Sequence, residues 1–191
     1  LATVPDIGKY ATIEVNSLSN VPSDYMDPPR WVELTRAVQA ALDRPEVAGV
    51  IVSHGTDTLE ETAFWLDLTV KSSKPVTLIG AQRNASVSDF DGPRNLLNAV
   101  RIAVDPQSQN KGAMLAMNNQ INAARYVTKT HTANVETFRS GEYGFLGEVY
   151  PDRVVYGNAP VRRQHIAIAA QAMPEVEIFP MYGGANGEAL R

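Results

Sequence analysis

Two hydrophobic periods alternate along this chain, and their order predicts its architecture. The β-branched run Val50-Ile51-Val52 reads as a buried parallel strand. It breaks at Ser53-His54-Gly55 and resumes at helical spacing, with Leu59, Ala63, Leu66 and Val70 recurring on one face. Thr58 followed by Glu61 has the form of a capping box and starts that helix near Thr58. Upstream, Asp27 before Pro28 and Pro29 opens a helix that runs to about Asp43 and buries Trp31, Leu34, Val38 and Leu42. Downstream come a strand over Pro75 to Gly80, a helix opened by Asp91-Gly92-Pro93 with a stripe through Leu96, Leu97, Val100 and Val104, and a strand over Ala113 to Met117. A short strand is predicted around Ala11 to Val15. From Asn118 to Tyr156, Gly141, Gly144 and Gly147 spaced among aromatics indicate strands and turns. Asn158 to Pro174 reads as a linker with Arg162, Arg163 and His165 exposed, and Glu175 to Phe179 as the first strand of a further unit. Strands alternating with helices predict α/β architecture: a parallel sheet covered on both faces, in three layers.

Composition narrows the function classes. The 191 residues suffice for one α/β domain, or one domain and part of another. With 44% hydrophobic and 20% charged residues the chain is globular rather than disordered. A net charge of -4 with scattered basic residues offers no phosphate-tracking patch, which argues against a nucleic-acid partner. The absence of Cys removes disulfides, thiol catalysis and thiolate metal sites, and leaves the compartment open. No apolar run is long enough to span a bilayer. The three His lack metal-ligand spacing, so no metal site is implied.

In a parallel sheet, ligands bind outside the carboxyl ends of the strands. His54, Gly55, Thr56 and Asp57 fall at that edge, and so does the loop carrying Asn20-Val21-Pro22-Ser23-Asp24-Tyr25-Met26. Gly55 is expected to let the backbone turn tightly and a ligand come close. On spacing alone, Asp57 and Thr58 serve as a helix cap, or Thr56 and Asp57 display a hydroxyl and a carboxylate at a binding edge. His54 reads as structural, because no Ser or Asp is spaced for a hydrolase triad and no G-x-S-x-G elbow is present. His131 and His165 read as surface residues.

HGTDTLEETAFWLDLTV, from His54 to Val70, resembles the second signature of the bacterial L-asparaginases, the type II-like branch of the asparaginase/glutaminase family. The similarity continues through KPVTLIGAQR at Lys74 to Arg83, DGPRNLLNAV at Asp91 to Val100 and YVTKT at Tyr126 to Thr130, in the family's order. The resemblance implies hydrolysis of L-asparagine to L-aspartate and ammonia, side activity on L-glutamine, no cofactor or metal, and a homotetramer whose sites are completed by a neighbouring subunit. Thr56, Asp57 and Lys129 match the family's second catalytic triad. Opening a carboxamide needs a nucleophile, a group to take its proton and a stabiliser for the oxyanion. Lys129 is the candidate base, since burial disfavours an ammonium, while Asp57 would oppose that effect and hold the group in place. Ser23 and Asp24 match the substrate-binding Ser and its polar neighbour, where Gln or Glu is commoner than Asp. Ser23 would donate to the substrate α-carboxylate, and Asp24 with Asp57 would hold its α-ammonium. Ala81 matches a position whose backbone carbonyl contacts the substrate amide.

The same resemblance implies a large domain over 1–157 lacking its first strand and lid, a linker over 158–174 and the beginning of a smaller α/β domain at 175–191. The family's primary nucleophile, on a Thr-Gly-Gly-Thr motif, and its Tyr-bearing lid would precede Leu1. Residues 1–191 alone are then expected to be catalytically inert and to expose an apolar edge at Glu175 to Phe179. Two other readings remain from sequence. One is the asparaginase-like subunit of a tRNA amidotransferase, which predicts a tRNA-binding partner, and the other is a non-catalytic amino-acid-binding domain.

Overall fold

The computed structural model describes residues 4–161, 163–168 and 173–190. At its centre is a six-stranded sheet in the order β1-β2-β3-β4-β7-β8, with β1 Val50–Ser53, β2 Val76–Ile79, β3 Ala113–Met117, β4 Gln120–Ala123, β7 Gly147–Val149 and β8 Val154–Tyr156. A separate hairpin pairs β5 Thr128–Lys129 with β6 Phe138–Arg139. Helices α1 Pro28–Leu42 and α2 Leu59–Thr69 cover one face, and α3 Gly92–Val104 covers the other.

Side chains of β3 point alternately to the two faces. Ala113, Leu115 and Met117 pack with Val38 and Leu42 of α1 and Leu59, Ala63 and Leu66 of α2. Met114 and Ala116 pack with Ala99 and Ile102 of α3. All five residues of β3 are buried, which is why this run reads as continuously apolar rather than alternating. The predicted helix faces hold for α1 and α2. On α3 the predicted Val100 is buried with Val4 and Ile7, and Asn95, Ala99 and Ile102 are equally buried, while Leu96 and Leu97 are half-buried against the Val100 cluster.

Several expectations are corrected. The strand expected over Ala11 to Val15 does not form. Ala11 and Ile13 instead pack on the cluster around Val100. The parallel sheet expected from the alternating elements does form, through β1, β2 and β3, and β4, β7 and β8 extend it antiparallel. The reversal comes from Asn118-Asn119, both at positive φ, 51° and 62°. Two consecutive left-handed residues make the two-residue turn that joins antiparallel neighbours. The Thr58 capping box is also absent: Thr58 is the N-cap, but its side chain makes no cap hydrogen bond. Glu175 to Phe179 carries no strand, and Val176 and Ile178 stand 81% and 88% exposed, since a strand needs a ladder partner. In the linker, Arg163 and His165 are exposed as expected, Ile166 N–H donates to the Leu68 carbonyl at 2.7 Å, and Arg162 lies outside the described residues. No helix is long and apolar enough to cross a membrane among the described residues.

Candidate active site

Parallel pairing in register, Ser53 opposite Ile79, brings the loops after β1 and β2 to one edge of the sheet. The first loop carries His54 to Thr58 and the second begins at Gly80 and Ala81. Two glycines permit the approach. A Cβ on Gly80 would meet the His54 carbonyl oxygen and Thr56 Cγ2, each at 2.9 Å. A Cβ on Gly55 would lie 2.7 Å from Ser23 Oγ. The side of Gly55 that a Cβ would occupy is therefore taken by Ser23.

Ser23 is buried in a short 3-10 turn, Ser23–Tyr25, and is bonded to the start of α2 twice. Asp57 N–H donates to Ser23 Oγ at 3.2 Å, and Thr58 Oγ1 donates to the Ser23 carbonyl at 2.6 Å. The hydroxyl expected to cap α2 thus ties the Ser23 loop to it. Ser23 Oγ keeps its own proton to donate to a ligand. With Ser19, Asn20, Val21, Met26, Ser53, His54 and Gly55 it lines a hollow of ≈ 220 Å³. A larger hollow of ≈ 370 Å³, lined by Val70 to Ser73 and Arg163 to His165, lies at the far end of α2 and away from the Thr56–Asp57 edge.

Lys129 arrives at the same edge from β5, 73 residues from Thr56 in sequence. Its Nζ donates to Thr56 Oγ1 at 2.8 Å and to Asp57 Oδ1 at 2.7 Å. The lysine side chain is 13% exposed and that of Asp57 74% exposed. A pair this open to water contributes about 0–1 kcal/mol to stability, so its consequence is orientation. Asp57 Oδ2 accepts no hydrogen bond among the described residues. Asp24 is exposed beside Ser23, and no hydrogen bond to its carboxylate is present among the described residues. Ala81 is half-buried after Gly80, whose N–H donates to Met117 Sδ at 3.1 Å. Thr56, Asp57, Lys129 and Ala81 are outside the lining of the hollow that Ser23 borders.

His54 holds the loop. Trp31 Nε1 donates to Thr62 Oγ1 at 2.8 Å, and Thr62 Oγ1 lies 3.1 Å from His54 Nε2. His54 Nδ1 lies 2.7 Å from the Gly55 carbonyl, which can only accept. The chain of donors therefore assigns the proton to Nδ1 and leaves Nε2 accepting from Thr62, a neutral imidazole. Burial pushes His54 below its ordinary value of 6.5, against the opposing Gly55 bond and the Glu61 charge. An unfolded state that binds the proton more readily makes stability rise with pH in this window. His54 contributes stability that is present above about 6.5 and lost as pH falls through its folded value. His54→Gln is expected to flatten that loss, checked by urea midpoints at about pH 7.5 and about pH 5. Asp67, raised by burial, has the opposite slope but is common to both proteins.

Residues that sequence reading passed over hold the edge together. Asn95 of α3 is 1% exposed. Its Nδ2 donates to the Gly80 carbonyl and to Asp91 Oδ2, both at 3.0 Å, and its Oδ1 accepts from Asn118 N–H at 3.2 Å. Asp91 also accepts from Gln82 N–H and Arg83 N–H. Glu60 accepts from Thr128 Oγ1 at 2.8 Å and from Lys129 N–H. The visible signal was polarity where the helical period calls for an apolar residue, as at Asn95 between Asp91 and Ala99.

The family described as Asparaginase, N-terminal matches residues 1–162. A probable periplasmic L-asparaginase of Haemophilus influenzae is 39% identical over 195 residues, covering 100% of this chain and 55% of that protein. L-asparaginase 2 of Bacillus subtilis is 41% identical, covering 97% of this chain and 50% of its own length. The crystal structure of a probable cytoplasmic L-asparaginase from Campylobacter jejuni superposes with a TM-score of 0.82 at 40% identity, over 86% of this chain and 50% of that one. The chain spans about half the length of the relatives it matches. The match to the asparaginase N-terminal domain takes in residues 1–162, and the chain belongs to the asparaginase family.

Proposed function

We propose that the complete protein is an L-asparaginase, an amidohydrolase converting L-asparagine and water to L-aspartate and ammonia. The observation that carries this reading is a lysine amine within 2.8 Å of a threonine hydroxyl and 2.7 Å of an aspartate carboxylate at the carboxyl edge of a parallel sheet. With Lys129 in its neutral amine form, Thr56 Oγ1 takes the proton of the attacking oxygen as it passes its own to Lys129 Nζ, and the ammonium so formed gives that proton to the leaving amide nitrogen, which departs as ammonia. Asp57 Oδ1 orients the amine, while Oδ2 and Asp24 face the substrate α-ammonium. Ser23 Oγ–H donates to the α-carboxylate, and the Ala81 carbonyl accepts from the substrate amide. The neighbouring-subunit contacts and the tetramer implied by the resemblance belong to the same proposal.

Ammonia release from L-asparagine by the complete protein tests the reading, with titration calorimetry against L-aspartate alongside. Binding of L-aspartate without ammonia release would overturn it in favour of an amino-acid-binding domain. Side activity on L-glutamine is part of the reading, and Asp24 sets its extent. Asp24→Gln is expected to change the ratio of kcat/KM for asparagine and glutamine by about tenfold, the effect of ~1–3 kcal/mol of altered contact. An unchanged ratio would show that Asp24 points away from the ligand.

A further inference from the structure

Lys129 reaches the site on a long stem from a strand only two residues long, outside the main sheet. Nζ can be held within hydrogen-bond distance of Thr56 only if the backbone beneath it is fixed. The inner side of the hairpin is fixed by Phe138, paired with Lys129 and 3% exposed in the core against α2. Its outer side faces the first turn of α2, where Glu60 places both carboxylate oxygens on it. Oε1 accepts from Thr128 Oγ1 at 2.8 Å and Oε2 accepts from the Lys129 backbone N–H. Bonds from amide and hydroxyl donors to an ionised carboxylate are among the stronger ones available. The helix turn that bears Glu60 is continuous with Thr56 and Asp57, so base and hydroxyl are referenced to one rigid element.

Resting on the amidase reading above, we propose that Glu60 is a positioning residue for Lys129, clamping the Thr128–Lys129 strand to the start of α2 so that Nζ meets Thr56 and Asp57. Glu60 does not touch the substrate; it acts through the placement of the lysine. A purely helical role is the competing account, since an acid in the first turn interacts favourably with the helix N-terminus. Glu61 shares that first turn, is exposed and its carboxylate makes no hydrogen bond among the described residues, so its removal reports the helical effect without touching the Thr128–Lys129 strand.

The test compares Glu60→Ala, Glu60→Gln and Glu61→Ala in the complete protein. Glu60→Ala is expected to lower kcat for L-asparagine about 10–100-fold, the scale of misplacing a reacting group by about 1 Å, with KM within about threefold. It should also speed hydrogen exchange at the Lys129 amide. Glu60→Gln keeps an oxygen for that amide and offers its NH₂ to Thr128 Oγ1, so it recovers most of the kcat and the protection. Glu61→Ala retains both. Wild-type kcat in Glu60→Ala, an equal loss in Glu61→Ala, or a loss in Glu60→Gln with the Lys129 amide still protected would each overturn the proposal. Absence of ammonia release from the wild type would instead sink the amidase reading, and the exchange rates would still decide whether the clamp exists.

Discussion

Thr56→Val in the complete protein is expected to lower kcat for L-asparagine by about 10³-fold or more and to leave the melting temperature nearly unchanged. Valine keeps the β-branched shape, so the methyl that rests against Gly80 is preserved. What is lost is Oγ1, the acceptor 2.8 Å from Lys129 Nζ. Lys129 retains its bond to Asp57, and both groups remain in contact with water, so no buried charge is left unpaired. The helix start does not depend on this hydroxyl either, because the Ser23 loop is tied to α2 through Asp57 N–H and Thr58 Oγ1. Steady-state kinetics paired with a thermal melt by circular dichroism separate chemistry from folding. Thr56→Ser, which restores a hydroxyl, should recover much of the rate. Near-normal turnover in Thr56→Val would leave this segment as a helix start and nothing more.

The parts of the fold legible in sequence were those in which burial is symmetric or periodic. The three strands of the parallel half are short apolar runs, and α1 and α2 carry stripes at helical spacing, so Val50–Ser53, Ala113–Met117 and Leu59–Thr69 fall where expected. The antiparallel half was harder to read, although Asn118-Asn119 is a local hairpin signal, because the strands beyond it are only three or four residues long. Too few side chains alternate over such a length to separate strand from turn. Ala11 to Val15 failed for the converse reason: an alternating pattern arises wherever a chain lies along an apolar surface, here the cluster around Val100 of α3. The site divides the same way. Thr56 and Asp57 are neighbours in a strand-to-helix turn, and topology alone carries them to the sheet edge. Lys129 and Glu60 meet across 69 residues through a backbone amide, which no side-chain pattern encodes. Even the Thr58 hydroxyl, whose spacing to Glu61 matched a capping box, is bound to the Ser23 carbonyl instead. A local rule gave way where a tertiary contact offered the better acceptor.

Lys129→Met is expected to reduce kcat by about 10²–10⁴-fold, the range for removing a positioned proton-transfer group. Methionine fills the channel of the aliphatic stem, which is 13% exposed, and the backbone hold through Glu60 and the β5–β6 pairing is untouched. Asp57 loses its cation, but at 74% exposure it is solvated, and the stability change should stay within about 1 kcal/mol. Lys129→Arg distinguishes the two roles an amine can play here. A guanidinium keeps the positive charge and can bond both Thr56 and Asp57, yet it does not give up its proton in a protein and so cannot serve as a base. If proton transfer is the function, Arg fails nearly as badly as Met. If the charge only orients Asp57, Arg retains most of the rate while Met does not. The pH–rate profile adds a second readout: loss of a base removes the limb that the base controls, whereas loss of a neighbouring charge displaces it. A displaced profile with kcat largely preserved in Lys129→Met would make Lys129 an electrostatic neighbour of Thr56 and return the base to be sought elsewhere.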